Sequence, residues 1–337
     1  MDSKASLSAG KIPVELLRDV LARLPSPPPE LRVGPRIGED ACALELPGGI
    51  LVAATDPITL TTLDIGRFSV IVNANDVAVM GVRPRWFLAD VLLPVGTTEA
   101  AVRDLFITMQ ESLAEIGADL VGGHTEVTHA VTQPIVVGHM LGLAEDRKFV
   151  TTSGVGPGDV ILQVGLAPIE GAAVLARLSA ERLGGLEPAL IDAARGALDH
   201  PGISVVESAL LAAELGATAL HDPTEGGLAA AFHEMADASG LRIRIDLRAV
   251  LWFEPGRAVC LALGADPLST LASGALLAAF PAGRAEAAAV TLIARGYPAA
   301  PIGRAEPGSG VFDTYSNEIA RPQRDEVARL SSPEAAS

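Results

Sequence analysis

From Val70 to Met80 the chain is apolar except for Asn73, Asn75 and Asp76. A run of this length belongs in a core, where a carboxylate is costly unless it is paired, hydrogen-bonded or bound to a cation. Any fold of this sequence must therefore build a polar site against the middle of a buried element. Two readings stay open: Asn75 or Asp76 caps a helix, or Asp76 faces a cation.

Four other strings set polar groups at turns and element ends. Gly34-Pro35-Arg36-Ile37-Gly38-Glu39-Asp40-Ala41 places two adjacent acids behind a glycine turn. That is ordinary surface chemistry, and it also suits Mg²⁺, which takes one or two carboxylates plus phosphate oxygens and water. An apolar strand over Ile50 to Thr55 runs into Asp56-Pro57, either a turn or a ligand carboxylate at a strand's carboxyl end. In Val121-Gly122-Gly123-His124-Thr125-Glu126 the paired glycines permit close approach to a phosphate, with Thr125 available to phosphate and Glu126 to metal. His124 alone reads as a structural or surface histidine. His221-Asp222-Pro223-Thr224-Glu225-Gly226-Gly227 opens a helix. Its free N–H groups suit a phosphate at Thr224, while Asp222 caps the helix or binds metal.

A length of 337 residues with 49% apolar side chains gives enough for two cores of about 150 residues each. Residues 1–30 hold a helix over Val14 to Leu24, with Leu17, Val20, Leu21 and Leu24 on one face, and a linker at Pro25 to Pro29. Residues 31–148 form a first domain that mixes strands with a helix over Thr98 to Ile116. Strands at Leu120-Val121 and Ile135 to Leu141 are separated there by a break at Gly122-Gly123. Residues 149–310 form a second, α+β domain with helices near 170–182, 203–215 and 227–239 and strands near 241–246, 275–280 and 300–305. Residues 311–337 read as a tail, frayed from Arg321.

The 41 acidic residues against 25 basic ones give a net charge of −16, which opposes general binding to nucleic acid or anionic lipid. Cys42 and Cys260 provide neither a disulfide framework nor a C-x-x-C metal spacing. The opening MDSKASLSAG lacks an apolar leader core, and Glu207 and Glu214 interrupt the apolar stretch from Ile203 to Leu220. The expectation is a soluble, cytoplasmic protein with no membrane partner. No GxxxxGK[ST] loop and no kinase-type lysine motif occurs, so ATP would bind by another scheme.

In their order and spacing the five strings resemble the aminoimidazole ribonucleotide (AIR) synthetase superfamily over about residues 11–306. Gly38-Glu39-Asp40-Ala41 looks like the G-D-D-A element of its hydrogenase-maturation carbamoyl dehydratases, and Asn75-Asp76 through Gly81 and Pro84 looks like their N-D-x-A-x-x-G-x-x-P element. Ile169-Glu170-Gly171-Ala172 and the string from His221 to Gly227 are similar to the same branch. The resemblance implies a two-domain α+β fold. The N-terminal domain would pair with its twin in a homodimer to build a β-barrel, with the C-terminal α+β domain beside it. It also implies ATP in the cleft and Mg²⁺ held by Asp40, Asp56, Asp76 and Asp222. Gly38, Glu39, Asp40, Asn75, Asp76, Gly122, Gly123, Thr125, Thr224 and Gly226 would contact the nucleotide. No residue is singled out as catalytic.

The pattern departs from each named branch. The sequence ends Ser331-Ser332-Pro333-Glu334-Ala335-Ala336-Ser337, without the terminal cysteine that carries the carbamoyl group in the maturation proteins, so carbamoylation of its own tail is not expected. Glu39 replaces an aspartate and moves its oxygens outward by one methylene. No cysteine precedes Gly38 as in selenophosphate synthetase, Asp222-Pro223-Thr224-Glu225-Gly226 replaces the D-x-S-D-G of thiamine-monophosphate kinase, and Gly122-Gly123-His124-Thr125 replaces the G-G-E-T of AIR synthetase. Two functions follow as expectations. One is an ATP- and Mg²⁺-dependent enzyme that phosphorylates an amide or carbonyl-type oxygen of a small-molecule or protein-borne substrate. The other is a nucleotide-binding partner protein that has lost this chemistry.

Overall fold

The computed structural model describes residues 12–59 and 64–331. The opening MDSKASLSAG and the final Ser332 to Ser337 lie outside the described residues. Strands β1 (Leu31–Val33), β2 (Cys42–Leu46), β3 (Gly49–Ile58), β4 (Pro84–Pro94), β5 (Asp119–Thr128) and β6 (Ile135–Ala144) form one sheet in the order β1-β2-β3-β6-β4-β5. Helix α1 (Val14–Leu21) precedes it, and α2 (Ile65–Ala78) and α3 (Glu99–Ile116) cover one of its faces. Thr98 caps α3 by accepting from the Ala101 N–H, and Gly117 ends it in the left-handed region.

Helix α2 explains the interrupted apolar run. Twelve of its 14 residues are buried, because β3 and β6 enclose it on one side while α3 and the second domain enclose it on others. Asn75 and Asp76 lie inside this helix, which begins at Ile65 after Asp64, so neither caps it.

Among the described residues, no helix covers the sheet's other face. In β4 and β6, buried Phe87, Ala89, Val91, Val136 and Met140 alternate with half-exposed Leu88, Leu92, Val137, Leu141 and Leu143. The strands do not close a barrel: among the described residues, β1 and β5 are free edges. Nor does Gly122-Gly123 end the strand, since β5 continues through it with a one-residue register shift at Val121. A Cβ on Gly123 would lie 2.1 Å from the Ala89 carbonyl oxygen, so the glycine serves close approach to β4 rather than a turn.

The second sheet has the order β12-β9-β11-β7-β10-β8, from β7 (Val160–Val164), β8 (Ala219–His221), β9 (Arg242–Ile245), β10 (Leu276–Phe280), β11 (Ala299–Glu306) and β12 (Val311–Asp313). Around it stand α4 (Glu170–Leu178), α5 (Pro188–Arg195), α6 (Val206–Glu214), α7 (Gly227–Ser239), α8 (Glu254–Leu263), α9 (Ala282–Ala294) and α10 (Glu326–Leu330).

The expected tail is largely part of this fold. Strand β12 pairs with β9, and Val311, Ile319 and Val327 are buried, so three apolar anchors in a polar stretch hold it down. The N-terminal helix forms but buries nothing, with Val20 and Leu24 each 50% exposed. No helix among the described residues is long and apolar enough to cross a membrane.

Candidate functional site

Helix α2 brings three polar side chains to three different tasks. Asn73 Oδ1 accepts from the Asp56 N–H at 2.8 Å, while Nδ2 donates to the Asp56 carbonyl at 3.2 Å and to Ser69 O at 2.9 Å. Asn75 Nδ2 donates to Ile203 O, and its Oδ1 accepts from the Val205 N–H, both at 2.9 Å. Its amide therefore ties the first domain to the backbone of the second, using one of its two N–H donors and one of its two lone pairs. Asp76 is 6% exposed in the last turn of the helix.

The glycine turn before β2 reaches across the domain boundary. Gly38 has φ +83° and packs so close to α7 that a Cβ would sit 2.8 Å from Glu234 O. The Glu39 carboxylate accepts from the N–H groups of Thr152 and Ser153, each at 3.2 Å, and pairs with Arg36 at 3.1 Å. The extra methylene of Glu39 is thus used to latch two domains, not to meet a ligand.

Asp40 comes to rest against the end of β8. Its Oδ2 lies 2.8 Å from His221 Nδ1, and His221 Nε2 lies 2.9 Å from Glu234 Oε2. Thr152 Oγ1 is 3.5 Å from Asp40 and donates to Leu220 O at 3.2 Å. Donor atoms of Asp40, His221 and Asp222 all lie within 4.8 Å of one another. Asp222 is 3% exposed, and its Oδ1 is buried without a hydrogen-bond partner. It does not cap α7, whose N-cap is Gly226.

The electrostatics mark this as a place of concentrated negative potential. Burial pushes the Asp222 carboxyl up to about 7, and the Asp40 and Asp56 carboxylates push the same way against the opposing pull of His221. Burial alone would lower His221, but the Asp40 and Glu234 carboxylates outweigh it and hold the ring well above its ordinary range. Two carboxylates, one from each domain and the second with an orphaned buried oxygen, fit a hard divalent cation.

The remaining expected residues are not gathered here. Asp56, Gly138, Ala89 and Gly123 stand in one cross-strand row through β3, β6, β4 and β5. Three strand spacings, about 14 Å, therefore separate the Gly122-Gly123 string from Asp56. His124, Thr125 and Glu126 are exposed on that edge, with His124 3.5 Å from Glu126. In the last string, Thr224 is half-buried and its carbonyl accepts from Gly227 N at 3.0 Å. The Gly226 N–H already donates to Asp325 Oδ2 at 2.7 Å. The α7 terminus expected to receive a phosphate thus carries a carboxylate of the chain itself.

Sequence reasoning missed Glu234, Thr152, Asp325 and the role of Asn73. Asn73 stood in the quoted string and was legible as a third polar residue in an apolar run. Glu234, in mid-helix, and Asp325, in the presumed tail, carried no local signal. Asp325, Glu225, Glu170 and Ser273 form a second acidic group beside the start of α7. Burial pushes Glu170 up to about 7, with Ser273 opposing and Asp325 and Glu225 adding; burial likewise pushes Asp325 up to about 6.

The sequence pattern described as AIR synthase related protein, N-terminal domain, matches residues 38–144, and its C-terminal counterpart matches residues 156–315. The carbamoyl dehydratase HypE of Azotobacter vinelandii is 34% identical over 266 residues, 73% of this chain and 72% of the relative. That of Rhodobacter capsulatus is 32% identical over 317 residues, 88% of this chain and 86% of the relative. The solved structure of hydrogenase maturation protein HypE in complex with ATP is similar with a TM-score of 0.70 at 26% identity, covering 88% of this chain and 92% of that one.

Proposed function

Because the chain belongs to the AIR synthase related family, on its hydrogenase-maturation branch, we propose that it binds ATP with a divalent cation and phosphorylates an amide or carbonyl-type oxygen. The observation that carries this reading is the convergence of Asp40 and Asp222, one from each domain, beside His221 on one spot with an unpartnered, buried Asp222 oxygen. The ATP-bound relative supports the choice of nucleotide.

In this reading Asp40, Asp56, Asp76 and Asp222 hold Mg²⁺, which neutralises charge on the transferred phosphoryl group. The chain's own residues set the stage. Asn73 fixes the backbone under Asp56, Glu39 fixes the turn that carries Asp40, and Asn75 fixes the second domain against the first. Gly38 and Thr224 lie beside the acids and remain nucleotide contacts. Gly122, Gly123 and Thr125 serve the nucleotide of a partner subunit, because their own acids are too distant. Glu39 and Gly226 drop out as nucleotide contacts, their polar groups being committed within the chain, while Asn75 keeps one N–H and one lone pair for a nucleotide.

The homodimer belongs to the same reading. The half-exposed apolar face of the first sheet and the ten-residue edge β5 are surfaces that a second copy would cover, closing the barrel between two chains.

Calorimetric titration with MgATP tests the binding step, and ATP hydrolysis with and without a panel of amide and carbamoyl metabolites tests the chemistry. No binding at about 1 mM MgATP, weaker than about 4 kcal/mol, overturns the proposal. Binding without substrate-dependent turnover leaves the partner-protein reading instead.

A further inference from the structure

We propose that His221 is a nitrogen donor to the cation held by Asp40 and Asp222, with Glu234 orienting the ring, so that the site prefers Mn²⁺ or Co²⁺ to Mg²⁺. The inference rests on the cation reading above and goes beyond it in naming the donor set.

The geometry is that of a mixed nitrogen and oxygen site. Bonds of about 2.1 Å at right angles place neighbouring donors about 3.0 Å apart. Asp40 Oδ2 and His221 Nδ1 are 2.8 Å apart, so the pair that shares a proton in the free chain is also spaced to share a cation. That proton leaves to water when the cation takes its place.

Glu234 supplies the usual companion of a ligating histidine, a carboxylate on the far ring nitrogen, here at 2.9 Å. It holds the hydrogen on Nε2 and turns the Nδ1 lone pair toward Asp40 and Asp222. The ring cannot swing away: His221 is 2% exposed at the end of β8, in register with Leu277 of β10. A histidine serving only to satisfy two acids would leave the buried Asp222 Oδ1 unexplained. A cation between Asp222, Asp40 and Nδ1 accounts for that oxygen too. Imidazole nitrogen favours Mn²⁺ and, more so, Co²⁺ over Mg²⁺, which prefers oxygen alone.

The test uses the full chain with substoichiometric Mn²⁺ and no nucleotide, read by pulsed electron paramagnetic resonance. The wild type is expected to show the nitrogen coupling of a directly bound imidazole. His221→Gln is expected to lose it, and Glu234→Gln to keep it with Mn²⁺ bound about tenfold more weakly. Bound Mn²⁺ without that coupling, no Mn²⁺ binding, or coupling retained in His221→Gln each overturns the inference. The wild-type spectrum decides even if His221→Gln fails to fold. MgATP binding without nitrogen coupling sinks this inference alone, whereas coupling without MgATP binding sinks only the nucleotide reading.

Discussion

Asn73 does for the backbone of Asp56 what a neighbouring strand would do, accepting from its N–H at 2.8 Å and donating to its carbonyl at 3.2 Å. The need arises because β2 pairs with β3 only as far as Ala53, which leaves Asp56 with β6 on one side alone. Gly138 of β6 makes room, since a Cβ there would lie 2.3 Å from Asn73 Nδ2. Asn73→Leu strips both bonds and leaves part-buried backbone groups of Asp56 unsatisfied, an expected loss of about 2 kcal/mol. Urea unfolding should show a lower midpoint at an unchanged slope. A loss below about 0.5 kcal/mol would make the amide dispensable.

Asp76→Asn separates charge from shape. The substitution keeps an oxygen and the side-chain volume, so the thermal midpoint should stay near that of the wild type. MgATP affinity should fall by at least about tenfold, or about 1.4 kcal/mol. Unchanged MgATP binding by calorimetry would show that Asp76 is structural.

Sedimentation at micromolar concentration should find a dimer. Leu141, half-exposed on the uncovered face of β6, is the place to break it. Leu141→Glu should give a folded monomer, because a charge there faces water in one chain and is stranded in a pair. A wild-type monomer, or a Leu141→Glu dimer as tight as the wild type, would speak against this face.

Neither thiol should accept a carbamoyl group. Cys260 is buried, and burial pushes its pKa up to about 12 despite the Thr270 hydroxyl nearby, so almost no thiolate exists at neutral pH. Cys42 is held within β2 against Ala53. Intact-mass spectrometry after incubation with ATP and a carbamoyl donor protein should show no adduct on either residue; an ATP-dependent adduct on either would refute it.

Glu170 makes stability fall as pH rises. Its folded value, about 7, lies above the ordinary 4.5, so between those values the folded chain binds a proton that the unfolded chain has lost. The contribution is therefore full below about pH 4.5, declines through neutral pH and levels off above about 7. Glu170 is half-buried, so solvent screens part of the effect. Glu170→Gln should be close to wild type at pH 4.5 and more stable by about 1–2 kcal/mol at pH 8. Equal stability at both values of pH would show that the carboxyl is not strained.

The sequence made the two domains, helix α3 and the pair of acids at 40 and 222 legible, because glycine turns, capping residues and apolar periods are local signals. It could not show what those acids would meet. Glu234 reaches His221 only because the tertiary fold sets α7 beside the end of β8 at that one point, and Asn75 meets Ile203 only because two domains dock. The Gly122-Gly123 pair was misread as a break because close approach between strands and a turn ask for the same residue. The segment beyond Val311 was misread because three widely spaced apolar anchors make no periodic pattern.

Among the described residues, the hydrogen bonds of the Asn75 clamp to the second domain go to the carbonyl of Ile203 and the N–H of Val205. Both groups belong to the main chain, so the clamp itself reads no side chain of this loop, while Ile203 and Val205 are held separately by burial in the core. What the clamp reads is the loop's length. One residue added or removed between Ile203 and Val205 would present the amide with the wrong spacing of acceptor and donor. Lineages of this chain should therefore refuse insertions at this loop, and a designer who grafts a new second domain must match the loop's count as well as its two apolar anchors.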